Sequence, residues 1–363
     1  MTMIRRSPTI LMAGPWVWPW YHEACACALE TLGCQVERFS LFDVFYRRVP
    51  GRVQPAYRSW WVAWQNRFLI GPTMHLINRR FRIRAHHRNP DIVWLYNCQH
   101  LFSRTIAHLH EQQPQTQLVH YINDNPFSPH ARKEQWRHVY PAIRWFHLNL
   151  VFRHSNIADF ARAGSRATQV LRAYYVPELH YRQLPERHER HFHNDVVFVG
   201  HYENDGRLGQ LEAIARAGHQ VALFGGGWPA AERVLAADSP LRRAWPVEPV
   251  VGADYRKALS GSKIALCFLS HMNADTYTTR TFEIPAMQTF ILSEYSDDLA
   301  TLFREGVEAE YFRTREELLA KIAFYLRHDR ARETIARRGY ERLRKDGHDV
   351  TSRMREWLHY VSC

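Results

Sequence analysis

The segment Thr278-Thr279-Arg280-Thr281-Phe282-Glu283-Ile284-Pro285-Ala286-Met287 sets hydroxyls, a guanidinium and a carboxylate at the start of a short apolar stretch. Read as a helix start, its free N–H groups and dipole, with Arg280 and Thr279 beside them, suit a diphosphate. Glu283, in the first turn, can accept hydrogen bonds from the vicinal hydroxyls of a ribose. The competing reading is purely structural: Thr281 caps the helix and Glu283 complements its dipole.

Other candidates stand where apolar runs end in glycine. Residues 195–200 (DVVFVG) end at Gly200, and Asn204-Asp205-Gly206-Arg207 follows. This is not the G-x-G-x-x-G spacing of a dinucleotide fingerprint, but a glycine turn feeding a helix can hold a phosphate, with Arg207 as a charge clamp. Gly225-Gly226-Gly227 lets backbone approach a ligand closely at Gly226, or is a plain turn. Near the N-terminus, Gly14-Pro15-Trp16-Val17-Trp18-Pro19-Trp20-Tyr21-His22 crowds aromatic rings into one loop. Gly14, Trp16 and Tyr21 there suit a sugar ring or another flat ligand, or else pack internally. His22 is either a base or a structural histidine. In Asn123-Asp124-Asn125-Pro126, Asp124 either takes a proton from a hydroxyl or supports a turn.

These residues need a scaffold that brings strand ends together, and the chain reads as one. Strands are expected at 8–13, 35–41, 91–96, 117–122, 148–152 and 169–175, with helices at 23–32, 103–112 and 157–163 between them. The rhythm stops at 177–194, a polar, proline-containing linker. It restarts with strands at 195–200, 220–224, 263–268 and 290–293 and helices at 208–217, 255–262 and 282–289. Long amphipathic helices at 315–327 and 330–345 and a last one at 350–360 complete the pattern. Alternating strands and helices imply parallel sheets and a doubly wound α/β class. The expected division is 1–180, a linker at 181–194, 195–347, and a C-terminal helical segment at 348–363 that crosses back to the N-terminal domain. Asp297-Asp298 reads as a surface turn.

The 363 residues suit two cores, and 46% hydrophobic with 23% charged residues is globular composition. No uncharged apolar run reaches the roughly 20 residues of a membrane-spanning helix. Arg5-Arg6, the uncharged run to His22 and Ala24-Cys25-Ala26 resemble a secretion signal, but three tryptophans and two prolines make a poor signal core. The six cysteines (25, 27, 34, 98, 267 and 363) contain no CxxC pair and read as buried reduced thiols. No metal-ligand spacing is present, so no metal site is expected. The 48 Lys+Arg against 36 Asp+Glu leave a net charge of +12, which favours an anionic partner. Tyr57, Trp60, Trp61, Trp64 and Phe68, followed by Arg79, Arg80, Arg82, Arg84 and Arg88, read either as a helix packed on the sheet or as an interfacial helix on acidic lipid. No nucleic-acid reader motif accompanies the charge, and no nucleic-acid partner is expected.

From about residue 195 to 360 the chain resembles the C-terminal half of a GT-B glycosyltransferase, most similar to the CgeB-like, spore-maturation-type family. The resemblance is carried by DVVFVG at 195–200, Arg207, Ser262-Lys263-Ile264-Ala265-Leu266, Arg280 to Ala286, Asp298-Leu299, and Phe303-Arg304-Glu305-Gly306. The N-terminal half matches only in layout and in Asp124-Asn125-Pro126. The resemblance implies two Rossmann-like domains facing across a cleft, a nucleotide-sugar co-substrate on the C-terminal domain, an acceptor on the N-terminal one, and transfer without bound metal or other cofactor. It puts Glu283 at the donor ribose and Trp245-Pro246-Val247-Glu248-Pro249 near the base. It puts Asp275 where retaining relatives carry a glutamate, which leaves the anomeric outcome open.

The leading expectation is thus a cytoplasmic, metal-independent glycosyltransferase of the hexosyltransferase class. Its acceptor is unidentified, with a lipid-linked or cell-envelope molecule and peripheral contact at the inner membrane face left open. The alternatives are a catalytically degenerate nucleotide-binding scaffold, and an anionic-lipid or nucleic-acid binding protein.

Overall fold

The computed structural model describes residues 7–49, 52–56 and 59–362. Arg5, Arg6, Tyr57 and Cys363 lie outside the described residues. The chain forms two compact units, Met1–Arg172 with Val350–Cys363, and Ala173–Asp349.

The first unit opens with β1 (Thr9–Gly14), a π-helical turn at Pro19–Glu23, α1 (Ala24–Thr31) and β2 (Gln35–Ser40). Gly33, at φ +90°, ends α1 in the left-handed conformation that glycine adopts without a Cβ penalty. A separate antiparallel hairpin, β3 (Tyr46–Val49) with β4 (Arg52–Pro55), interrupts the alternation. Then come α2 (Trp60–Phe68), α3 (Pro72–Arg88), β5 (Ile92–Tyr96), α4 (Ser103–Gln112), β6 (Gln117–Ile122), α5 (Lys133–Trp136), β7 (Leu148–Val151), α6 (Ser155–Arg162) and β8 (Thr168–Val170). The last strand is shorter than the 169–175 expected from its apolar run. The sheet order is β2-β1-β5-β6-β7-β8, with every pair parallel.

β5 (IVWLY) is buried throughout, as a strand covered on both faces must be. On one face, Met74, Ile77, Phe81 and Ala85 of α3 join Ile106 and Leu109 of α4 over Leu11, Val93 and Leu95. On the other, Trp94 meets Trp357 with ring centroids 4.7 Å apart. Trp357 belongs to α14 (Val350–Ser362), the C-terminal helix of this unit, which packs along α1. The run from Ser7 to His22 is thus a core strand and a helix entry, and Ala24, Cys25 and Ala26 are buried in α1. The tryptophans of α2 are not a core stripe: Trp60 is 75% and Trp61 43% exposed, and Trp61 stacks on Trp64 at 5.0 Å. Cys27 is an exposed free thiol, whereas Cys25, Cys34, Cys98 and Cys267 are buried.

The second unit comprises β9 (Asn194–Val199), α7 (Arg207–Arg216), β10 (Val221–Phe224), α8 (Trp228–Val234), α9 (Ala253–Ser260), β11 (Ser262–Cys267), α10 (Arg280–Ala286), β12 (Phe290–Glu294), α11 (Asp297–Leu302), β13 (Glu310–Phe312), α12 (Arg315–Arg327) and α13 (Asp329–Lys345). Its parallel sheet has the order β10-β9-β11-β12-β13. Asp297-Asp298 is not a surface turn: Ser296 caps α11 by accepting from the Leu299 N–H, and both aspartates lie in its first turn, where they complement the dipole. In both sheets the chain reverses direction of growth once, between β1 and β5 and between β9 and β11. Loops leaving such neighbours diverge, which opens a crevice at the carboxyl ends of the strands. Among the described residues no helix is long and apolar enough to cross a membrane.

Candidate functional site

The crevice of the second unit is built from backbone. The loop after β9 and the loop after β10 lock together: the Gly200 N–H donates to the Phe224 carbonyl at 2.8 Å and the Tyr202 N–H to the Gly226 carbonyl at 2.9 Å. Gly225 stands at φ +139°, and a Cβ there would come within 2.0 Å of the Gly200 carbonyl oxygen. A Cβ on Gly226 would meet the His201 ring at 2.8 Å. Glycine is required at Gly225 for this close approach of two chains. The Gly200 carbonyl also accepts from Trp228 Nε1 at 3.0 Å, which ties α8 to the turn.

Two guanidinium groups flank this turn. A Cβ on Gly200 would lie 3.3 Å from Arg280 Cζ, so Arg280 covers the glycine. The guanidinium carbons of Arg207 and Arg280 lie 5.8 and 5.9 Å from the Phe198 ring centroid, within cation–π range. Their states differ. Arg207 is 3% exposed, and its fork is taken by Asp205 (Nε to Oδ1, 2.8 Å, with Nη2 on Oδ2) and by the His201 carbonyl (2.8 Å). It is committed to shaping the 201–206 loop. Glu203 of that loop accepts from the Ser270 hydroxyl, which joins it to the loop after β11.

α10 starts at Arg280, two residues before the expected helix, because Thr278 and Thr279 already accept the first turn's N–H groups on their carbonyls. Thr279 is the cap residue, with helical dihedrals and no side-chain cap bond. Thr281 lies inside the helix, and its hydroxyl accepts from the Thr278 N–H at 3.1 Å. Glu283 is buried, 7% exposed. Tyr255 of α9 donates its hydroxyl to Glu283 Oε2 at 2.5 Å, and His180 Nε2 lies 3.6 Å from Oε1. The tautomer of His180 follows from its other nitrogen: Nδ1 accepts from the Val176 N–H at 3.0 Å, so Nε2 carries the proton and faces the carboxylate. Burial lowers the His180 pKa against the pull of Glu283, and it lifts the Tyr255 phenol well above its ordinary value, with Glu283 adding to the rise. Neither residue stood out in the sequence, because each lies in a different segment from Glu283 and no local spacing links them. Asp275 sits partly buried between β11 and α10, its N–H bonded to the Ser270 carbonyl at 2.9 Å.

The first unit gathers the other candidates at the same kind of sheet edge. Gly14 ends β1, and a Cβ there would stand 2.3 Å from the His22 ring and 2.9 Å from the Tyr96 carbonyl oxygen. His22 is 3% exposed, its ring 4.3 Å from that of Tyr96 and 5.5 Å from that of Trp16. Trp16 is buried, and its Nε1 donates to the Phe39 carbonyl at 2.8 Å. The aromatic loop is therefore divided: Trp16 packs inward, while Trp18 and Trp20 stack at 5.0 Å and Tyr21 stays partly open. Asp124 follows β6. Asn97 and Arg153 brace the residue before it, through the Asn123 side chain (2.7 Å) and carbonyl (3.0 Å). Solvent reaches Asp124, yet the protein around the carboxyl partly desolvates it and raises its pKa, with Arg153 opposing. Among the described residues no group of three or more His, Cys, Asp or Glu is arranged to hold a metal ion.

Residues 207–359 match the family model described as glycosyl transferase-like. No curated protein sequence matches the chain. Solved structures share its fold over nearly the whole length. One is sucrose-phosphate synthase from Thermosynechococcus elongatus, 13% identical, with a TM-score of 0.66 over 98% of this chain and 99% of that one. Another is HepE of Anabaena in complex with UDP-glucose, 15% identical, with a TM-score of 0.66 over 98% and 99%. A glycosyltransferase from Rickettsia africae is 12% identical, with a TM-score of 0.64 over 98% of each chain. The two parallel α/β units thus have the GT-B fold.

Proposed function

We propose that this protein is a glycosyltransferase that moves a sugar, a hexose by our reading, from a nucleotide-sugar to a hydroxyl acceptor, and that it is of the CgeB-like kind. The observation that carries this reading is the setting of Glu283. A buried carboxylate, held by Tyr255 and His180, stands one turn after Arg280, which itself covers the Gly200 turn. A carboxylate offers about four lone-pair sites, so the Tyr255 hydrogen bond and the nearby His180 leave capacity for the ribose hydroxyls. The family-model match over this unit and the UDP-glucose complex of a structure with the same fold support the same reading.

In this mechanism the acceptor oxygen bonds to the anomeric carbon as the bond from that carbon to the diphosphate oxygen breaks. The nucleoside diphosphate leaves with the electron pair. Arg280 and Thr279, beside the close turn at Gly200 and Gly225, stabilise its growing negative charge without a metal. Arg207 acts one step back, by holding the 201–206 loop in shape. The acceptor proton passes to Asp124, whose raised pKa makes it a better base than an ordinary carboxylate. His22, packed under the Gly14 turn, positions the β1 edge, with Tyr21 on the acceptor side.

The test is a thermal-shift panel of UDP, GDP, TDP, CDP and ADP, with and without EDTA. A nucleotide at 100 times its Kd adds about 2.7 kcal/mol to stability. One nucleotide is expected to stand out, indifferent to EDTA, and Glu283→Ala is expected to abolish its shift. Undiminished affinity in the variant would sink the ribose assignment, and a flat panel would remove the donor site altogether.

A further inference from the structure

The first unit carries a cationic cavity that the reaction above does not use. α3 and α4 lie side by side on one face of the sheet, sharing the core over Leu11 and Val93. Between their outer edges is a cavity of about 410 Å³, within the range of small-ligand sites. Its rim holds three arginines, Arg79 and Arg82 one turn apart on α3 and Arg104 on α4, with His75 and His108 beside them. Its floor is Asn78, Thr105 and Phe102, all buried.

The floor is rigid and already satisfied. Asn78 Oδ1 accepts from the Phe102 N–H (2.8 Å) and the Thr105 hydroxyl (2.7 Å), while its Nδ2 donates to the Met74 and His100 carbonyls (2.8 and 2.9 Å). The rim is not satisfied. Arg84 and Arg88, elsewhere on α3, both pair with Glu37, at 2.9 and 2.7 Å. Arg79, Arg82 and Arg104 make no ion pair among the described residues. Arg104 is nonetheless held in place, donating to His75 Nδ1 at 3.2 Å with its guanidinium 4.9 Å from the Phe102 ring centroid. Among the described residues no carboxylate lines the cavity.

Three like charges converging on one concave site with no counter-charge repel one another, and a bound anion relieves that repulsion. Guanidinium forks match phosphate oxygens in pairs. We infer that the α3–α4 cavity binds a phosphate-bearing ligand, through Arg79, Arg82 and Arg104. That phosphate belongs either to a soluble phosphate ester or to an anionic lipid headgroup, and the exposed Leu76 and Ile83 on α3 are close enough in sequence to meet the lipid in the second case.

The experiment uses the full chain and two probes. Fructose 1,6-bisphosphate is titrated calorimetrically, and vesicles of phosphatidylcholine with about a third phosphatidylglycerol are used in sedimentation against vesicles of phosphatidylcholine alone. The variant Arg79→Ala/Arg82→Ala/Arg104→Ala is compared with Arg233→Ala/Arg330→Ala/Arg338→Ala, which removes the same charge from exposed positions of the second unit. All six positions are exposed, and far-UV circular dichroism checks that each variant is folded. Should the triple variant misfold, the single Arg82→Gln replaces it. The expected result is binding of at least one probe, weakened roughly tenfold or more in the cavity variant and little in the control, with nucleotide shifts unchanged in both. Binding of the bisphosphate identifies a soluble ester, and binding of the anionic vesicles alone identifies a headgroup. Equal weakening in both variants, or no binding of either probe, overturns the inference.

Discussion

Tyr255 donates its hydroxyl to Glu283 across 2.5 Å, joining the first turn of α9 to the first turn of α10. Tyr255→Phe removes that donor and leaves one oxygen of a buried carboxylate short of a partner. The expected cost is about 1–3 kcal/mol, read as a lower urea midpoint at constant slope. Because the Tyr255 pKa is raised, its contribution is present below the ordinary phenol value near 10 and is lost as pH rises through the higher folded value. The wild type should therefore lose more stability than the variant above pH 10. Equal loss in both would remove the tyrosine from the account.

Acid should weaken the first unit. Burial holds His100 down to about 3 and His120 to about 4. Both are neutral in the fold, while the unfolded chain takes up a proton near 6.5, so stability is present above that value and falls as pH drops toward the folded values. Two such groups cost about 4 kcal/mol between pH 7 and 5. His120 stacks on Phe146 at 4.8 Å and bonds to Asn149 at 3.2 Å, so His120→Gln should flatten the profile by about half. Unfolding free energies that do not change over this range would contradict the expectation.

Asp124→Asn should lower kcat by about 10²–10⁴-fold with a small change in KM, because it removes a base while leaving the turn's shape. With a raised Asp124 pKa, the wild-type rate should fall with acid at a pH above the ordinary carboxylate range. Retained activity in the variant would assign the proton to another group.

Gly14→Ala places a methyl 2.3 Å from the His22 ring. The expected destabilisation is about 1–3 kcal/mol. Adding His22→Ala frees the ring's space but not the 2.9 Å approach to the Tyr96 carbonyl, so the double variant should recover part of the loss. Strict additivity in the double-mutant cycle would show that the ring is not the obstacle.

Trp357→Ala should cost about 3–5 kcal/mol, since a fully buried ring facing Trp94 is replaced by a void. The loss should appear as lower hydrogen-exchange protection in β5 and α1, with β11 and β12 little changed. Uniform loss over both units would argue that they unfold together.

What the sequence by itself determined is the scaffold. Residues 92–96 and 196–199 are continuous apolar runs between polar turns, and periodicity is a local property, so two parallel α/β sheets are legible in the sequence. The exceptions were elements with weak local signals. β13 is three residues long and begins at a glutamate, and α8 begins with Trp-Pro straight after three glycines that read as a plain turn. The α2 tryptophans had helical spacing, but spacing cannot say whether a covering surface exists, and Trp60 has none.

Only the tertiary structure decided which charges meet. Arg280 and Arg207 look alike in sequence, yet Arg207 is taken up by Asp205 and the His201 carbonyl while Arg280 covers Gly200. His22 and Trp16 have the residue types of a binding loop, yet they pack inward because Gly14 leaves room for a ring. The partners of Glu283 come from segments far apart in the chain, and the α3–α4 cavity joins Arg79 and Arg82 of one helix to Arg104 of the next across the intervening strand. Such pairings depend on packing between elements, and no spacing along the chain encodes them.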